Sequence, residues 1–329
     1  MKICVYGAGA IGGHLAARLA RGGADVSLVA RGAHLAAIQA NGLRVLAPDG
    51  PIHATVAATD DPATLGAQDA VLVTVKAPAL PSVAAAIAPL LRAETPVVFV
   101  MNGIPWWYFH AHGGALDGRR LDKIDPGGAL WNAVGPERAV GGVVYSACTV
   151  TAPGIIAVEG ATSRLVLGRP DGTIPPALAA VAAAVRAGGF TVVETDRIRD
   201  WVWSKLLMNL STGPMSVLCH AAPGSFLHDP VLLATLRAVL AEGQAVVAAL
   251  GCTPQTDIAS VVERSQSMTH EPSILQDLKL GRPMEIEGIL GATLDLARLS
   301  GTPTPTLDLL VALTRARGRT AGLYAPTMA

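Results

Sequence analysis

The stretch that decides the fold is "MKICVYGAGAIGGHLAARLARGGADVSLVARG", residues 1–32. A short apolar run ends in a glycine turn, an amphipathic stretch follows, and a second apolar run ends at Arg31. Strand, helix and strand in this order are typical of a parallel, doubly wound sheet. Gly7, Gly9 and Gly12 form G-x-G-x-x-G directly after the first strand, which is the context in which this motif binds a dinucleotide. We therefore expect a dinucleotide-binding unit at the start of the chain.

Each glycine of the motif has its own expected role. Gly7 permits the tight turn, Gly9 lets the backbone approach a pyrophosphate, and Gly12 allows helix and strand to pack closely. The N–H groups at the start of the helix, including those of Ala10 and Ile11, would then face the phosphates. The alternative is that the three glycines only make a tight strand-to-helix turn.

The composition limits the other functions. The 329 residues are enough for about two domains. Lys+Arg 25 and Asp+Glu 25 give a net charge of zero, so no overall field attracts nucleic acid or an anionic membrane. The apolar stretch 231–251 carries Arg237 and Glu242, which argues against a membrane span. The four cysteines lack CxxC or zinc spacing, so we expect reduced thiols, a cytoplasmic location and no metal site.

The hydrophobic period changes near residue 196. Before this point, short apolar runs alternate with helical patterns, which predicts a Rossmann-type α/β domain over residues 1–196. One exception is "GGVVYSACTVTAPGIIAVEG", where Pro153 and Gly154 predict a hairpin turn. After this point the period is helical throughout, which predicts an all-helical domain over residues 197–329.

Two cations follow strands of the first domain. In NAD sites an acid usually follows the second strand and binds the ribose 2′-hydroxyl, but here the strand ends at Arg31. A guanidinium attracts a 2′-phosphate instead, which indicates NADP(H). Lys76, in "VLVTVKAPAL", also follows a strand and supports the same cofactor. Both residues could instead be solvated surface cations.

Polar side chains next to apolar runs form a second group of candidates. Asn102 follows the run "VVFVM" and could reach a nicotinamide or a carbonyl, or could simply form a turn. Lys205 and Asn209 are one helical turn apart among apolar neighbours. Burial disfavours an ammonium, which would make Lys205 a usable proton donor near neutral pH. A lysine that snorkels at the rim of a packed helix is the alternative.

The segment "HEPSILQDLKLGRPMEIEGILGATLDLA", residues 270–297, adds two more groups. Ser273 follows Pro272 at a predicted helix start, and Pro283 is expected to begin another helix with Glu285 in its first turn. Each has a purely structural alternative. Ser273 could only cap a helix, and Glu285 could only complement a helix dipole.

The order of these segments resembles the ketopantoate reductase family, the 2-dehydropantoate 2-reductases of pantothenate synthesis, from residue 2 to about residue 318. The resemblance is carried by GxGxxG, "VTVKA", "MNGI", "SKLLMN" and "PSILQDLKLGRPMEIEGI", of which the last is the most specific. It implies a Rossmann domain that binds NADPH and a helical domain that closes over it. It also implies a small-molecule 2-keto acid as substrate. The oligomeric state stays open, a homodimer included.

The resemblance also implies a role for each candidate residue. Lys205 would be the general acid that protonates the developing alkoxide, and Glu285 the carboxylate beside it. The residues that would hold the substrate and the nicotinamide are Asn102, Asn209 and Ser273. The residues that would contact the adenosine end of NADPH are Arg31 and Lys76.

Two departures from the family pattern bear on the substrate. Relatives commonly have an asparagine before the proline after the catalytic helix, whereas this chain has Gly213 there. A long stretch with tryptophans, residues 106–140, stands where many relatives have a short helix, and it could form a lid over the nicotinamide. His110 and His112 in this stretch lack a third ligand nearby and are interpreted as solvated.

Three functions agree with the sequence. The first is an NADPH-dependent 2-keto acid reductase, with ketopantoate as the first candidate substrate. The second is the same enzyme class with a different 2-keto acid, as Gly213 and the long stretch suggest. The third is a non-catalytic NADPH sensor, which would not need Lys205, Asn209, Ser273 and Glu285 together.

Overall fold

The structure is a computed structural model that describes residues 1–254 and 256–324. The chain divides into two compact units. The first unit consists of Met1–Met101 and Pro105–Ile198. The second unit consists of Asn102–Ile104 and the chain from Arg199 onward. The second unit thus begins close to the predicted boundary at residue 196. It also takes in Asn102–Ile104, which the sequence assigned to the first domain. This short segment makes a backbone hydrogen bond within the helical unit, from the Ile104 N–H to the Gly288 carbonyl at 3.2 Å.

The first unit is built on one mixed sheet. Its described strands are β1 (Lys2–Tyr6), β2 (Asp25–Val29), β3 (Leu43–Leu46), β4 (Ile52–Ala54), β5 (Ala57–Thr59), β6 (Ala70–Val73), β7 (Val97–Val100), β8 (Ala139–Ala152), β9 (Ile155–Gly168) and β10 (Thr191–Glu194). The order is β4-β3-β9-β8-β7-β6-β1-β2-β5, and β10 pairs with β9. From β5 through β2, β1, β6 and β7 to β8 all pairs are parallel. This is the strand order of a doubly wound dinucleotide-binding sheet, and the predicted α/β fold is confirmed.

Five α-helices are described in the first unit. The α-helices are α1 (Ala10–Arg21), α2 (Gly32–Asn41), α3 (Leu80–Ala86), α4 (Ala129–Ala133) and α5 (Pro176–Ala187). Strands β6 and β7 are buried at every residue and β1 at all but its first. Such burial is expected for central parallel strands that are covered on both faces.

A long antiparallel hairpin closes one side of the parallel strands. β8 and β9 pair from Gly141 with Gly168 to Ala152 with Ile155, and Gly154 in the turn has a φ of 76°. The predicted hairpin at Pro153 and Gly154 is therefore present. The first half of β9 also pairs with β3, and its second half pairs with β10.

The tryptophan-rich stretch is part of the core of the first unit. Trp106, Trp107, Tyr108 and Phe109 are at most 1% exposed. The Trp106 ring packs edge-on against Phe99, with centroids 5.4 Å apart. The hypothesis of a free lid is thus wrong for these four residues, because their large apolar surfaces are buried by folding.

The two histidines of this stretch are half-buried rather than solvated. The His110 ring lies 6.0 Å from that of Trp131, and the His112 ring lies 5.1 Å from that of Phe109. Among the described residues, no group of three His, Cys, Asp or Glu side chains could hold a metal ion.

A buried polar network holds α1 in place. The Arg18 Nε donates to His14 Nε2 at 3.0 Å, and its two terminal nitrogens each donate to a different oxygen of the Asp49 carboxylate at 2.6 Å. Burial, followed by the charge of Arg18, lowers the pKa of His14 to about 4. His14 is therefore neutral at physiological pH, and its Nε2 accepts the hydrogen bond. The Ser146 hydroxyl of β8 lies 3.3 Å from its Nδ1.

The second unit contains only helices among its described residues. They are α6 (Ile198–Cys219), α7 (Pro223–Phe226), α8 (Pro230–Ala249), α9 (Ile258–Gln266), α10 (Ser273–Lys279), a π-helix (Glu287–Gly291), α11 (Ala292–Leu299) and α12 (Pro305–Thr320). Ile198, the first residue of α6, belongs to the first unit. The predicted all-helical character of the second domain agrees with this fold.

Helix α8 is long and apolar enough to cross a membrane by length and composition alone, with a mean hydropathy of 1.6. Such a test is also passed by core helices of soluble proteins. Here the Glu242 carboxylate accepts the N–H groups of Thr306 and Leu307 at 2.9 and 2.8 Å, at the start of α12. Gly243 allows close packing, because a Cβ there would lie 2.7 Å from Leu207 of α6.

Candidate active site

The turn between β1 and α1 has no room for side chains at two glycines of the motif. Gly7 has a φ of 110°, in the region that favours glycine. A Cβ on Gly12 would overlap the carbonyl oxygen of Gly7. That oxygen accepts a hydrogen bond from the Thr74 hydroxyl at 2.6 Å, just after β6. The Gly7 carbonyl is therefore held in place by its contact with Gly12 and by its hydrogen bond from Thr74.

Gly9 differs from the other two glycines because its surroundings are open. It is exposed, and no atom of the described chain lies within 4 Å of the position of a Cβ. Helix α1 begins at Ala10 with no side-chain cap and no acid in its first turn. The N–H groups at this helix start, with that of Ile11 among them, thus face an open surface without a competing carboxylate. Such a surface fits the pyrophosphate of a dinucleotide.

Arg31 and Lys76 are both exposed beyond the ends of β2 and β6, the two neighbours of β1. Arg31 donates to the Ser82 hydroxyl at 3.2 Å. Burial raises the pKa of Tyr6, and the guanidinium of Arg31 beside it acts in the opposite direction. The carboxyl ends of parallel strands are where ligands bind in such sheets, so these two cations and the glycine turn share one edge.

Lys205 and Asn209 lie on α6 in the second unit, four residues apart on one face of the helix. Both side chains are partly accessible, between buried Trp203, Leu206 and Leu210. Burial lowers the pKa of the Lys205 amine to about 8, and the charge of Glu285 partly opposes this effect. The sequence-based expectation of a lysine with a lowered pKa thus has a physical cause in the structure.

The chain around Glu285 differs from the expected helix start. The helical run begins at Ile286, so Glu285 precedes it rather than lying in its first turn, and the prediction of a helix from Pro283 is wrong. The Ile286 N–H instead donates to the Met284 carbonyl at 2.9 Å. The following turn is a π-helix, a feature that occurs frequently at functional sites.

The π-helix also holds the segment that carries Asn102. Gly103 has a φ of 85°, and a Cβ there would overlap the Gly288 carbonyl oxygen. The same carbonyl accepts the Ile104 N–H. The structure therefore brings Asn102 and Glu285 to the same π-helix within the second unit.

Ser273 is the first residue of α10, as predicted, and it is exposed. The residue before α10 is Pro272, and no side chain caps this helix, so Ser273 has no capping role. The next residue, Ile274, lies 3.3 Å from the position that a Cβ on Gly213 would take. The start of α10 thus packs against the face of α6 that carries Asn209 and Gly213.

Helix α6 continues to Cys219, so Pro214 lies inside the helix and not after it, as the resemblance to the family implied. A proline in a helix interior costs roughly 3 kcal/mol. Residues 210–217 are all buried, and this burial offsets the lost hydrogen bond. Ser216 also lies on this buried part, and its hydroxyl has no hydrogen-bond partner among the described residues.

Both units match models of one protein family. The model of the family described as "Ketopantoate reductase PanE/ApbA" matches residues 3–172, and the model of its C-terminal part matches residues 197–318. The chain belongs to the ketopantoate reductase family. A 2-dehydropantoate 2-reductase from Mesorhizobium japonicum is 43% identical over 98% of this chain and 100% of that protein.

Solved structures of the family have the same fold. One from Ralstonia solanacearum, described as a proposed ketopantoate reductase, is 40% identical with a TM-score of 0.91 and covers 98% of this chain and 99% of its own. A PanE/ApbA family ketopantoate reductase from Ralstonia eutropha is 28% identical with a TM-score of 0.84 and covers 98% of this chain and 100% of its own. The family uses NADPH, in agreement with the predicted cofactor.

Two alanine substitutions distinguish a glycine that the fold requires from a glycine that NADPH binding requires. We expect Gly12→Ala to lower the melting temperature of the cofactor-free protein, because its Cβ overlaps backbone. Gly9→Ala should leave that temperature nearly unchanged, because its φ of −61° suits alanine and the space is open. It should nevertheless weaken NADPH binding by about tenfold or more, since the added methyl occupies the expected pyrophosphate position.

Thermal unfolding without cofactor and fluorescence titration with NADPH measure the two quantities. Unchanged NADPH affinity in Gly9→Ala would show that the open surface at α1 is not the pyrophosphate site.

Proposed function

We propose that this chain reduces a 2-keto acid to a 2-hydroxy acid with NADPH, and that the substrate is 2-dehydropantoate (ketopantoate). The observation that carries the proposal is the lysine of α6 whose pKa burial lowers to about 8, with a carboxylate nearby. An amine with such a pKa is largely protonated at neutral pH and can still release its proton. The Mesorhizobium japonicum relative, named 2-dehydropantoate 2-reductase, supports the choice of substrate.

The residues divide between binding and proton transfer. When bound, NADPH supplies the hydride that reduces the carbonyl carbon. Lys205 donates a proton to the oxygen of the former carbonyl, which yields the hydroxyl group, and the neutral amine regains its proton from water. Because negative charge develops on that oxygen, an ammonium beside it stabilises the transition state more than the ground state.

Other residues would hold NADPH and the 2-keto acid substrate. The N–H groups at the start of α1, those of Ala10 and Ile11 included, would bind the pyrophosphate, and Arg31 and Lys76 would bind the adenosine end. Asn102, Asn209 and Ser273 would hold the substrate and the nicotinamide, since amides and hydroxyls offer both donors and acceptors. Glu285 keeps the Lys205 amine charged in its buried setting.

A different 2-keto acid is the second candidate substrate. Position 213 is buried and carries no side chain, so it offers no amide to a substrate hydroxyl. A keto acid with a bulkier or less polar side chain would not need that amide. The non-catalytic NADPH sensor is the least favoured function, because it gives no reason for a half-buried lysine with a lowered pKa and a carboxylate nearby.

Location and assembly are parts of the same proposal. All four cysteines are free thiols, which suits a protein of the reducing cytoplasm. A homodimer stays a prediction, which light scattering of the purified protein measures.

The decisive experiment is Lys205→Ala. We expect turnover with NADPH and ketopantoate to fall by about two to four orders of magnitude, while NADPH affinity stays nearly unchanged. In the parent protein, kcat should fall as the pH rises through about 8, because the acid must be protonated to react. The matched control is Lys2→Ala, an exposed lysine at the opposite end of β1. Near-normal turnover of Lys205→Ala would rule out its role.

A second variant tests the cofactor choice. Arg31→Ala should reduce the preference for NADPH over NADH by about ten- to a hundredfold, because a charge-assisted pair with the 2′-phosphate contributes roughly 1.5–3 kcal/mol. Arg44→Ala, an exposed arginine on β3, is the control and should keep the preference. The dissociation constants of NADPH and NADH for each protein measure this preference. Equal affinities of the parent protein for NADPH and NADH would refute the assignment of Arg31 to the 2′-phosphate.

A third variant tests the substrate. If ketopantoate is not the native substrate, Gly213→Asn should raise its kcat/KM by about tenfold, since a hydrogen bond to a substrate hydroxyl is restored. Gly213→Ala adds only the Cβ, 3.3 Å from Ile274, and separates crowding from the effect of the amide. Steady-state kinetics with ketopantoate and with apolar 2-keto acids measure this. A clear preference of the parent protein for ketopantoate, together with a damaging Gly213→Asn change, would exclude the second substrate.

A further inference from the structure

Beyond the candidate catalytic residues, an ion-paired cluster lies at the π-helix. The Glu287 carboxylate accepts two hydrogen bonds from Arg315 of α12, at 2.7 and 2.8 Å. The Tyr324 hydroxyl donates to the same carboxylate at 2.6 Å. We call Glu287, Arg315 and Tyr324 the tail clamp, because two of its members come from the end of the described chain.

The tail clamp is a tight cluster rather than a surface ion pair. The side chains of Glu287 and Arg315 are only 16% and 26% exposed, and a bidentate guanidinium–carboxylate pair is among the stronger polar interactions. The Glu287 pair raises the pKa of Arg315, and burial, followed by Glu287, raises the pKa of Tyr324. The guanidinium of Arg319 lies 6.0 Å from the Tyr324 ring as a further cation.

The end of the described chain, residues 321–324, which we call the tail, also bonds to the residue before Glu285. The Met284 N–H donates to the Leu323 carbonyl at 3.0 Å. Gly318 permits this approach, because a Cβ there would lie 2.8 Å from Tyr324 and 3.0 Å from Ile286. Glu285 thus stands between two residues, Met284 and Glu287, that are both fixed to the tail.

The same turn reaches the Asn102 segment. The next residue after Glu287 is Gly288, whose carbonyl accepts the Ile104 N–H at 3.2 Å. A shift of the π-helix would therefore move Glu285 and the Asn102 segment together. A single π-turn is rare in proteins, and bonds from outside the turn help to keep it in place.

We propose that Glu287, Arg315 and Tyr324 are positioning residues that fix the π-helix, so that Glu285 stays beside Lys205 and Asn102 keeps its place at the site. This inference rests on the proposed function of Lys205 as the general acid. The clamp residues themselves take no part in proton or hydride transfer.

The test uses the full-length protein with Glu287→Gln, which keeps the shape of the side chain and removes its charge. If Glu285 is no longer held beside Lys205, the ammonium loses the charge that opposes the effect of burial. The pH at which kcat falls on the basic side should then decrease by about half a unit or more. We also expect kcat to fall about tenfold, with little change in NADPH affinity.

Two further variants keep the test decisive. Tyr324→Phe removes one hydroxyl and should also lower the pH at which kcat falls on the basic side, by less than Glu287→Gln does. This variant provides the answer if Glu287→Gln does not fold. Asp308→Asn is the matched control, because it breaks the exposed Arg298–Asp308 pair at 3.1 Å between α11 and α12. It should lower the melting temperature without moving the pH profile.

A readout without turnover separates this inference from the proposed function. The pH dependence of Lys205 acylation, followed by mass spectrometry, reports the pKa of its amine directly. A lowered Lys205 pKa in Glu287→Gln supports the positioning role even if the parent protein reduces no 2-keto acid, in which case the proposed function alone fails. Lower melting temperatures in the folded clamp variants, with an unchanged pH profile and unchanged Lys205 labelling, would overturn the inference.

Discussion

The close approach of Gly12 to the carbonyl of Gly7 is the constraint on which the first unit depends. No side chain fits there, so the first turn of α1 can pack directly on the end of β1. The Thr74 hydroxyl bonds the same carbonyl and thereby ties the end of β6 to the turn. Because β1 lies between β2 and β6, this contact aligns the strand ends that precede Arg31 and Lys76. The buried pair of His14 and Arg18 then keeps α1 from rotating, since both side chains bond off-helix partners.

In the second unit two opposing effects, burial and the charge of Glu285, set the pKa of Lys205. Burial alone would favour a neutral Lys205, which could not donate a proton, whereas a full ion pair would hold the proton too firmly. A pKa of about 8 lies between these limits, and each unit of pKa corresponds to about 1.4 kcal/mol. The position of Glu285 therefore matters on the scale of a single hydrogen bond. In the positioning role that we propose, the bonds from the end of the chain to Met284 and Glu287 hold the residues on either side of Glu285.

Local patterns predicted most of the fold, and long-range contacts account for what was missed. The G-x-G-x-x-G turn, the hairpin at Gly154 and the change of period near residue 196 all follow from short stretches of sequence. Strands β3, β4 and β5 have three or four residues each, too few for a clear period of two. Helix α6 continues past Pro214, although a proline locally disfavours a helix, because the residues around it are buried. The tail clamp joins residues 28 and 37 positions apart, and no local rule connects them.

The buried part of α6 that contains Gly213 also holds a polar group whose cost the fold has to offset. Side chains on a helix lean toward its amino terminus, so Ser216 covers the turn that contains Gly213. Its buried hydroxyl has no partner among the described residues, and leaving such a group unsatisfied costs about 1–3 kcal/mol. Because Ser216 is fully buried, the folded chain itself carries this cost, and the packing of the apolar residues around Pro214 offsets it.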